Sequence, residues 1–283
     1  MARVSAAQGI QLYTGFTVHV TGGVLDLVLD RPEAGNAIAS EAIPELAAVF
    51  TQAALDNAVR VVSIRATGAS FCVGGDVKGF ARTIGQTPTE RHADYFARMD
   101  RARLLMEAYI ALPMPVIVAC QGAVAGAAVA YPCGADIVLA EPRAKFVFPH
   151  QRLGLPPDGG LTYLLPRVVG VRKATELAIT AATIDAEEAL RLGIVSRIVE
   201  TDMLQAEAQK LAARLAAAPR GAVRKAHALM RRSLASTPAE QLAAERDAIA
   251  DSVADPDFTE GVRAFIEKRR PDFPSTRPDS DTT

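Results

Sequence analysis

Tryptophan is absent from the 283 residues, histidine occurs four times and cysteine three times, and the charges cancel to a formal net of −1. Each scarcity excludes something. Three cysteines (Cys72, Cys120, Cys133) are too few, and odd in number, for a disulfide-stapled fold. The four histidines (His19, His92, His150, His227) have no metal-ligand spacing and no CxxC occurs, so no metal is implied. A balanced charge argues against a broad nucleic-acid surface. The most basic stretch, with Arg220, Arg224, Lys225, Arg231 and Arg232, has helical spacing and reads as a solvated helix face. No GxxxxGK[ST] phosphate loop and no GxSxG elbow is present. Neither a signal-peptide core nor an Arg-rich transit pattern is visible at the start, so the expected compartment is the cytoplasm. The one long apolar run, residues 115–140, is interrupted by Gln121, Pro132 and Asp136 and centred on Gly and Ala, so no membrane association is expected.

What remains is an ordinary globular composition: 49% hydrophobic and 22% charged residues fill a core and coat it. Residues 1–15 read as a loose tail. Phe16–Val20 and Val24–Leu29 are strands joined by Thr21-Gly22-Gly23. Ser40 is expected to cap a helix over 41–56, with Pro44 in its first turn. Val61–Arg65 is a buried strand, 90–111 a long amphipathic helix ended by Pro113 and Pro115, and Val116–Cys120 another strand. A helix is expected from Ala127, then strands at Ile137–Ala140 and Phe146–Phe148. This alternation predicts parallel strands covered on both faces. From Arg172 to Lys268 helices dominate, among them 203–217, 222–234 and Phe258–Arg269, with one strand-like run at Ile194–Val199. The stretch from Pro271 is polar and Pro-rich and reads as a disordered tail.

Three segments carry candidate chemistry. In Phe71-Cys72-Val73-Gly74-Gly75-Asp76, paired glycines after a buried strand expose backbone N–H groups; the plain alternative is a glycine turn. Gln121 to Ala128 places small residues at a strand-to-helix junction, which serves either tight packing or a helix-start anion site. Together the two segments suggest paired donors for one oxyanion. In Leu155-Pro156-Pro157-Asp158-Gly159-Gly160, Asp158 precedes a short helix and reads either as an N-cap or as a general acid/base.

Taken jointly, LVLDRPEAGNAI, ASFCVGGDVKGF, PVIVACQGAVAGAAVAYPCGADIVLAEPRAKFVFP, LGLPPDGGLTYLLPRVVG, ATIDAEEALRLGIVSRIVE and FTEGVRAFIEKRRPDF resemble the crotonase (enoyl-CoA hydratase/isomerase) superfamily over about residues 17–273. The resemblance implies an α/β fold: a spiral of ββα turns (16–200), a helical C-terminal trimerisation region (201–270), and tails at 1–15 and 271–283. It implies an acyl-CoA thioester substrate, a homotrimer or hexamer, and no separate cofactor, since coenzyme A is part of the substrate. By motif position the oxyanion donors are the N–H groups of Gly75 and Ala127. The CoA-contacting positions fall on Ala37, Gly75, Asp76, Val77 and Lys78, with Phe265 and Lys268 serving a neighbouring active site.

The acid/base set departs from the hydratases of the family. Their two glutamates are replaced by Ala130 and His150. Asp158 matches the single aspartate of the isomerase branch, and PDGGLTYLLPR resembles the epoxyphenylacetyl-CoA isomerases. His150 either fills the pocket wall or hydrogen-bonds to substrate or to Asp158. The resemblance therefore implies an isomerase with Asp158 as acid/base. The alternatives are a hydratase or thioester hydrolase using Asp158 or His150, a dehalogenase (whose helix histidine is replaced by Arg103), and a non-catalytic acyl-CoA-binding member. Pro132 sits inside the helix expected from Ala127 and puts the start of that helix in question.

Overall fold

The computed structural model describes residues 9–276, with the side chains of Val77 and Lys78 excepted. The outer parts of the two expected tails, 1–8 and 277–283, lie outside the described residues. The strands are β1 (Gln11–Tyr13), β2 (Phe16–Thr21), β3 (Val24–Leu29), β4 (Val61–Ala66), β5 (Val116–Cys120), β6 (Ala123–Ala125), β7 (Ile137–Ala140), β8 (Lys145–Val147), β9 (Thr183–Asp185) and β10 (Arg197–Ile198). The helices are α1 (Ala42–Leu55), α2 (Val77–Phe80), α3 (Pro88–Ile110), α4 (Ala130–Gly134), α5 (Leu161–Val169), α6 (Val171–Ile179), α7 (Ala186–Arg191), α8 (Leu204–Ala216), α9 (Arg220–Arg232), α10 (Pro238–Val253) and α11 (Pro256–Ile266). Seven strands form one sheet in the order β1-β2-β3-β4-β5-β7-β10, antiparallel as far as β3 and parallel beyond it. A smaller sheet, β6-β8-β9, stands beside it.

The central parallel strands β5 and β7 are buried along almost their whole length, as their unbroken apolar runs require. In β5, Val116, Val118 and Cys120 face the main core, while Ile117 and Ala119 face α8 through Leu211, Ala212 and Ala208. On the other face α1 and α3 pack together, with Phe50 and Tyr109 rings 5.5 Å apart. Arg65 ties α8 down: its guanidinium pairs with Asp26 on the neighbouring strand and donates to Gln205 Oε1 at 2.8 Å.

Several expectations change. Gln11–Tyr13, read as tail, is an edge strand, because Tyr13 stacks on Phe16 at 4.7 Å and pairs with its backbone. Ser40 does not cap α1, which starts after Glu41 with no side-chain cap. The segment after Ala125 is a 3₁₀ turn, Gly126–Val129, before the short α4, so Pro132 falls in the first turn of the α-helical part and breaks nothing. The run Ile194–Val199 yields only the two-residue β10. The last helix stops at Ile266, with Lys268 at φ 54°. Beyond Pro271 a 3₁₀ turn, Pro274–Thr276, is held where Ser275 N–H donates to Asp257 Oδ1 at 2.9 Å.

Helix α9 is fixed to the core by one polar cluster. Arg231 donates to the carbonyls of Ile110 and Gly134, the last residues of α3 and α4, both at 2.8 Å. A cation at two helix C-termini satisfies orphan acceptors and complements both dipoles. Asp136 lies beside it, 3.2 Å from His227 Nε2 and 3.6 Å from Arg231, and accepts the Val116 N–H at 2.8 Å. Burial pushes the Asp136 carboxyl up, but the His227 contact, the Val116 N–H and Arg231 outweigh it and hold it below the usual range. A depressed carboxylate contributes stability above its unfolded pKa of about 3.9 and loses that contribution as the pH falls through the folded value. Asp136→Asn is therefore expected to cost about 1–3 kcal/mol at pH 7. In urea titrations, the midpoints of the wild type and of the Asp136→Asn variant should differ at neutral pH and draw together as the pH falls below the unfolded carboxyl value of about 3.9; a gap that does not narrow on acidification would contradict the assignment.

Candidate active site

The site forms where three backbone segments come into contact, and glycine is what lets them approach. Gly74, at φ 93°, packs so closely that a Cβ there would lie 2.8 Å from the Ala125 carbonyl oxygen and 3.7 Å from the Ala127 nitrogen. Gly159, at φ 59°, packs on the other side of Ala127; a Cβ there would lie 2.8 Å from the Ala127 Cβ. Both residues thus combine left-handed backbone with van der Waals contact. Cys72 holds the first segment from beneath, its Sγ 3.4 Å from the Gly74 N–H. Burial pushes that thiol up to about 12, so it stays protonated and inert.

Gly75 and Ala127, the two positions expected to donate, lie on either side of this contact. Ala127 lies in the first turn of the 3₁₀ segment, where N–H groups have no intrahelical acceptor. Among the described residues no backbone carbonyl takes the Gly75 N–H either. Both residues line one cavity, with Asp158, His150, Ile38, Phe80, Met99 and Leu105 among its other walls.

Helix α5 begins at Leu161 after Gly160 and has no side-chain cap. Asp158 gives its carbonyl, not its carboxylate, to the Leu161 N–H at 3.0 Å. The N-cap reading of Asp158 therefore falls. Its carboxylate instead meets His150, with Nε2 and Oδ1 3.3 Å apart. His150 is buried, and its Nδ1 has no partner among the described residues. With Nδ1 unpartnered, the tautomer carrying its proton on Nε2 is the one that hydrogen-bonds to the carboxylate. Asp158 is the one carboxylate lining this cavity among the described residues.

The remaining candidate positions divide. Ala37 sits just before the lining residue Ile38, and its carbonyl accepts from Arg31 Nη1 at 3.3 Å. Asp76 caps α2, its Oδ1 accepting the Gly79 N–H at 3.2 Å. Val77 and Lys78 open α2; their side chains lie outside the described part of the structure. Phe265 and Lys268 stand away from this cavity, and Phe265 is 86% exposed. Arg103 points outward and pairs with Asp100 and Glu107 at 2.9 and 2.7 Å, so the dehalogenase histidine position has no counterpart in the wall.

Two wall residues escaped the sequence reading. Tyr131, in α4, lines the cavity, and burial keeps its phenol neutral by raising its pKa. Arg98 lines it from α3, on one helix face with Met99, Ala102, Leu105 and Met106. That helical spacing was the available signal for the second.

Residues 19–276 match the family model described as enoyl-CoA hydratase/isomerase. The chain is 36% identical to the 1,2-epoxyphenylacetyl-CoA isomerase of Escherichia coli K12, over 90% of this chain and 96% of that protein. It is 33% identical to the trans-2-decenoyl-[acyl-carrier-protein] isomerase of Streptococcus mutans, over 90% and 96%. Among solved structures, the enoyl-CoA hydratase of Bacillus anthracis superposes with a TM-score of 0.84 at 28% identity, covering 93% of this chain and all of that one (100%).

Gly159→Ala tests the packing that aligns the donors. The added methyl must displace Ala127, and misaligning one oxyanion donor typically costs about 10²–10³ in rate. We expect kcat to fall by about that factor while KM changes little. Steady-state kinetics on an enoyl-CoA, with a melting curve to verify folding, make the measurement; unchanged kcat would show that Ala127 is not a donor.

Proposed function

The chain belongs to the enoyl-CoA hydratase/isomerase family of the crotonase superfamily, whose acyl-CoA isomerase/hydratase activity it shares, and from that premise we propose that it is an acyl-CoA isomerase with Asp158 as the acid/base. The observation that carries the reading is the Asp158 carboxylate. It faces the cavity, is not spent on a helix cap, and has no second carboxylate beside it there among the described residues.

The chemistry follows from the placement. Asp158 removes a proton from the saturated carbon next to the thioester carbonyl. The electrons move into the thioester carbonyl, and its oxygen becomes an enolate oxygen. The N–H groups of Gly75 and Ala127 bind that oxygen, and fixed donors in a largely apolar cavity stabilise developing charge without reorganising. The protonated Asp158 then returns its proton to another carbon, and the double bond has moved with no atom gained or lost. His150 orients the carboxylate through its Nε2 contact and closes the cavity wall behind it. Coenzyme A enters as part of the substrate, and no separate cofactor has a step in this scheme.

Asp158→Asn keeps the shape and removes the base. General acid/base groups contribute about 10²–10⁴ in rate, so isomerisation of a 3-enoyl-CoA, followed by NMR because the mass does not change, is expected to fall at least that far. Full activity in the Asp158→Asn enzyme would sink the assignment.

The second reading, hydration, is favoured by one feature: His150 occupies only one oxygen of the Asp158 carboxylate, and the other oxygen is left to accept from a water in the cavity. The isomerase reading expects crotonyl-CoA to keep its conjugated-enoyl ultraviolet absorbance in the presence of the enzyme; steady loss of that absorbance would favour hydration instead. A homotrimer or hexamer is proposed alongside. It is supported by the apolar side chains that the C-terminal helices leave exposed, among them Met230, Leu242, Ile249, Phe265 and Ile266.

A further inference from the structure

Arg98 is out of place in the cavity. The side chains around it on α3 are Met99, Ala102, Leu105 and Met106, and the facing walls bring Ile38, Phe80 and Leu155. Its guanidinium carbon lies 4.5 Å from the centre of the Phe80 ring, stacked on the face, and this contact fixes its direction. Its Nη2 reaches to within 3.4 Å of where a Cβ on Gly75 would stand. The charge is thus held beside the oxyanion donor, inside the cavity that receives the acyl group. Among the described residues no carboxylate or carbonyl pairs with it. Arg103, further along the same helix, has two carboxylate partners at the surface. Arg65 is likewise paired with Asp26.

A guanidinium with five donors and no acceptor is costly to keep beside an apolar wall. A neutral acyl chain filling the cavity makes this worse, because it removes the remaining water. An anionic oxygen pair on the substrate reverses the sign, since guanidinium and carboxylate match in a bidentate, charge-assisted geometry. We propose that Arg98 is a specificity-determining residue, and that the acyl group this enzyme prefers carries a carboxylate of its own in addition to the thioester. The inference rests on the reading of this cavity as the acyl site of an acyl-CoA enzyme.

A second anionic source exists in the phosphates of coenzyme A, and the experiment separates the two. The probes are hexanoyl-CoA, glutaryl-CoA, adipoyl-CoA and free coenzyme A, with dissociation constants measured by calorimetry. None has a double bond to move, so affinity is read without turnover. Failure of the isomerase assignment, seen in the Asp158→Asn kinetics, therefore leaves this result standing, and the reverse also holds. The wild-type protein is expected to bind glutaryl- or adipoyl-CoA at least about tenfold more tightly than hexanoyl-CoA, the ratio expected of one charge-assisted pair. In Arg98→Met that ratio should collapse to within about twofold, and in Arg98→Lys part of it should survive, because a lysine keeps the charge and loses the fork. A melting curve for each variant confirms the fold. Absence of any carboxylate preference in the wild type overturns the proposal. So does an Arg98→Met variant that weakens free coenzyme A and all three esters by one common factor, because the guanidinium then meets a phosphate.

Discussion

Everything in the site depends on how closely backbone can approach backbone around Ala127. The two donors belong to segments well separated in sequence, and they share a cavity because Gly74 on one side and Gly159 on the other admit no Cβ between themselves and the Ala125–Ala127 turn. This is a constraint on what is absent. No side chain aims the donors; the sheet and its glycines do. The thiol beneath Gly74 and the bridge between Cys72 and Val124 carry the same alignment into the buried core. The backbone proposed to stabilise charge therefore inherits the rigidity of the sheet, and the polar side chains are free to differ around it.

That division explains the chemistry assigned to Asp158. A carboxylate just before a helix normally has an occupation, because the first helical N–H groups need acceptors. Gly160 removes this occupation by taking the N-cap position in left-handed backbone, and Asp158 satisfies Leu161 through its carbonyl. The carboxylate is left to His150 and the cavity.

How much was legible beforehand follows from the length of each signal. Strands β5 and β7 could be bounded to the residue because each is an uninterrupted apolar run, and β3 because its half-buried alternation is set between Gly23 and Asp30. β1, β6 and β9 could not, since three residues hold no periodicity and pair only because tertiary neighbours present an edge. Gly75, Ala127, His150 and Asp158 were named from motif positions, and the cavity unites them. On spacing alone the choice between cap and catalyst for Asp158 stayed open, because it turns on whether the helix begins at residue 159 or 161, and only the family resemblance favoured the catalyst. Arg98 was invisible for a different reason. A charged residue on a long amphipathic helix reads as solvated unless the inward face is known, and α3 carries many charges.

Arg231 ties these threads together from a distance. It grips the last carbonyl of α3 and the last carbonyl of α4 with the two nitrogens of one side chain. The first helix is a wall of the cavity, and the second continues the turn that begins at Gly126. A residue far along the chain thus works as a clasp between a wall of the cavity and the helix that follows the Ala127 turn. Helix α9 thus braces, from outside the cavity, the ends of the two helices nearest to it.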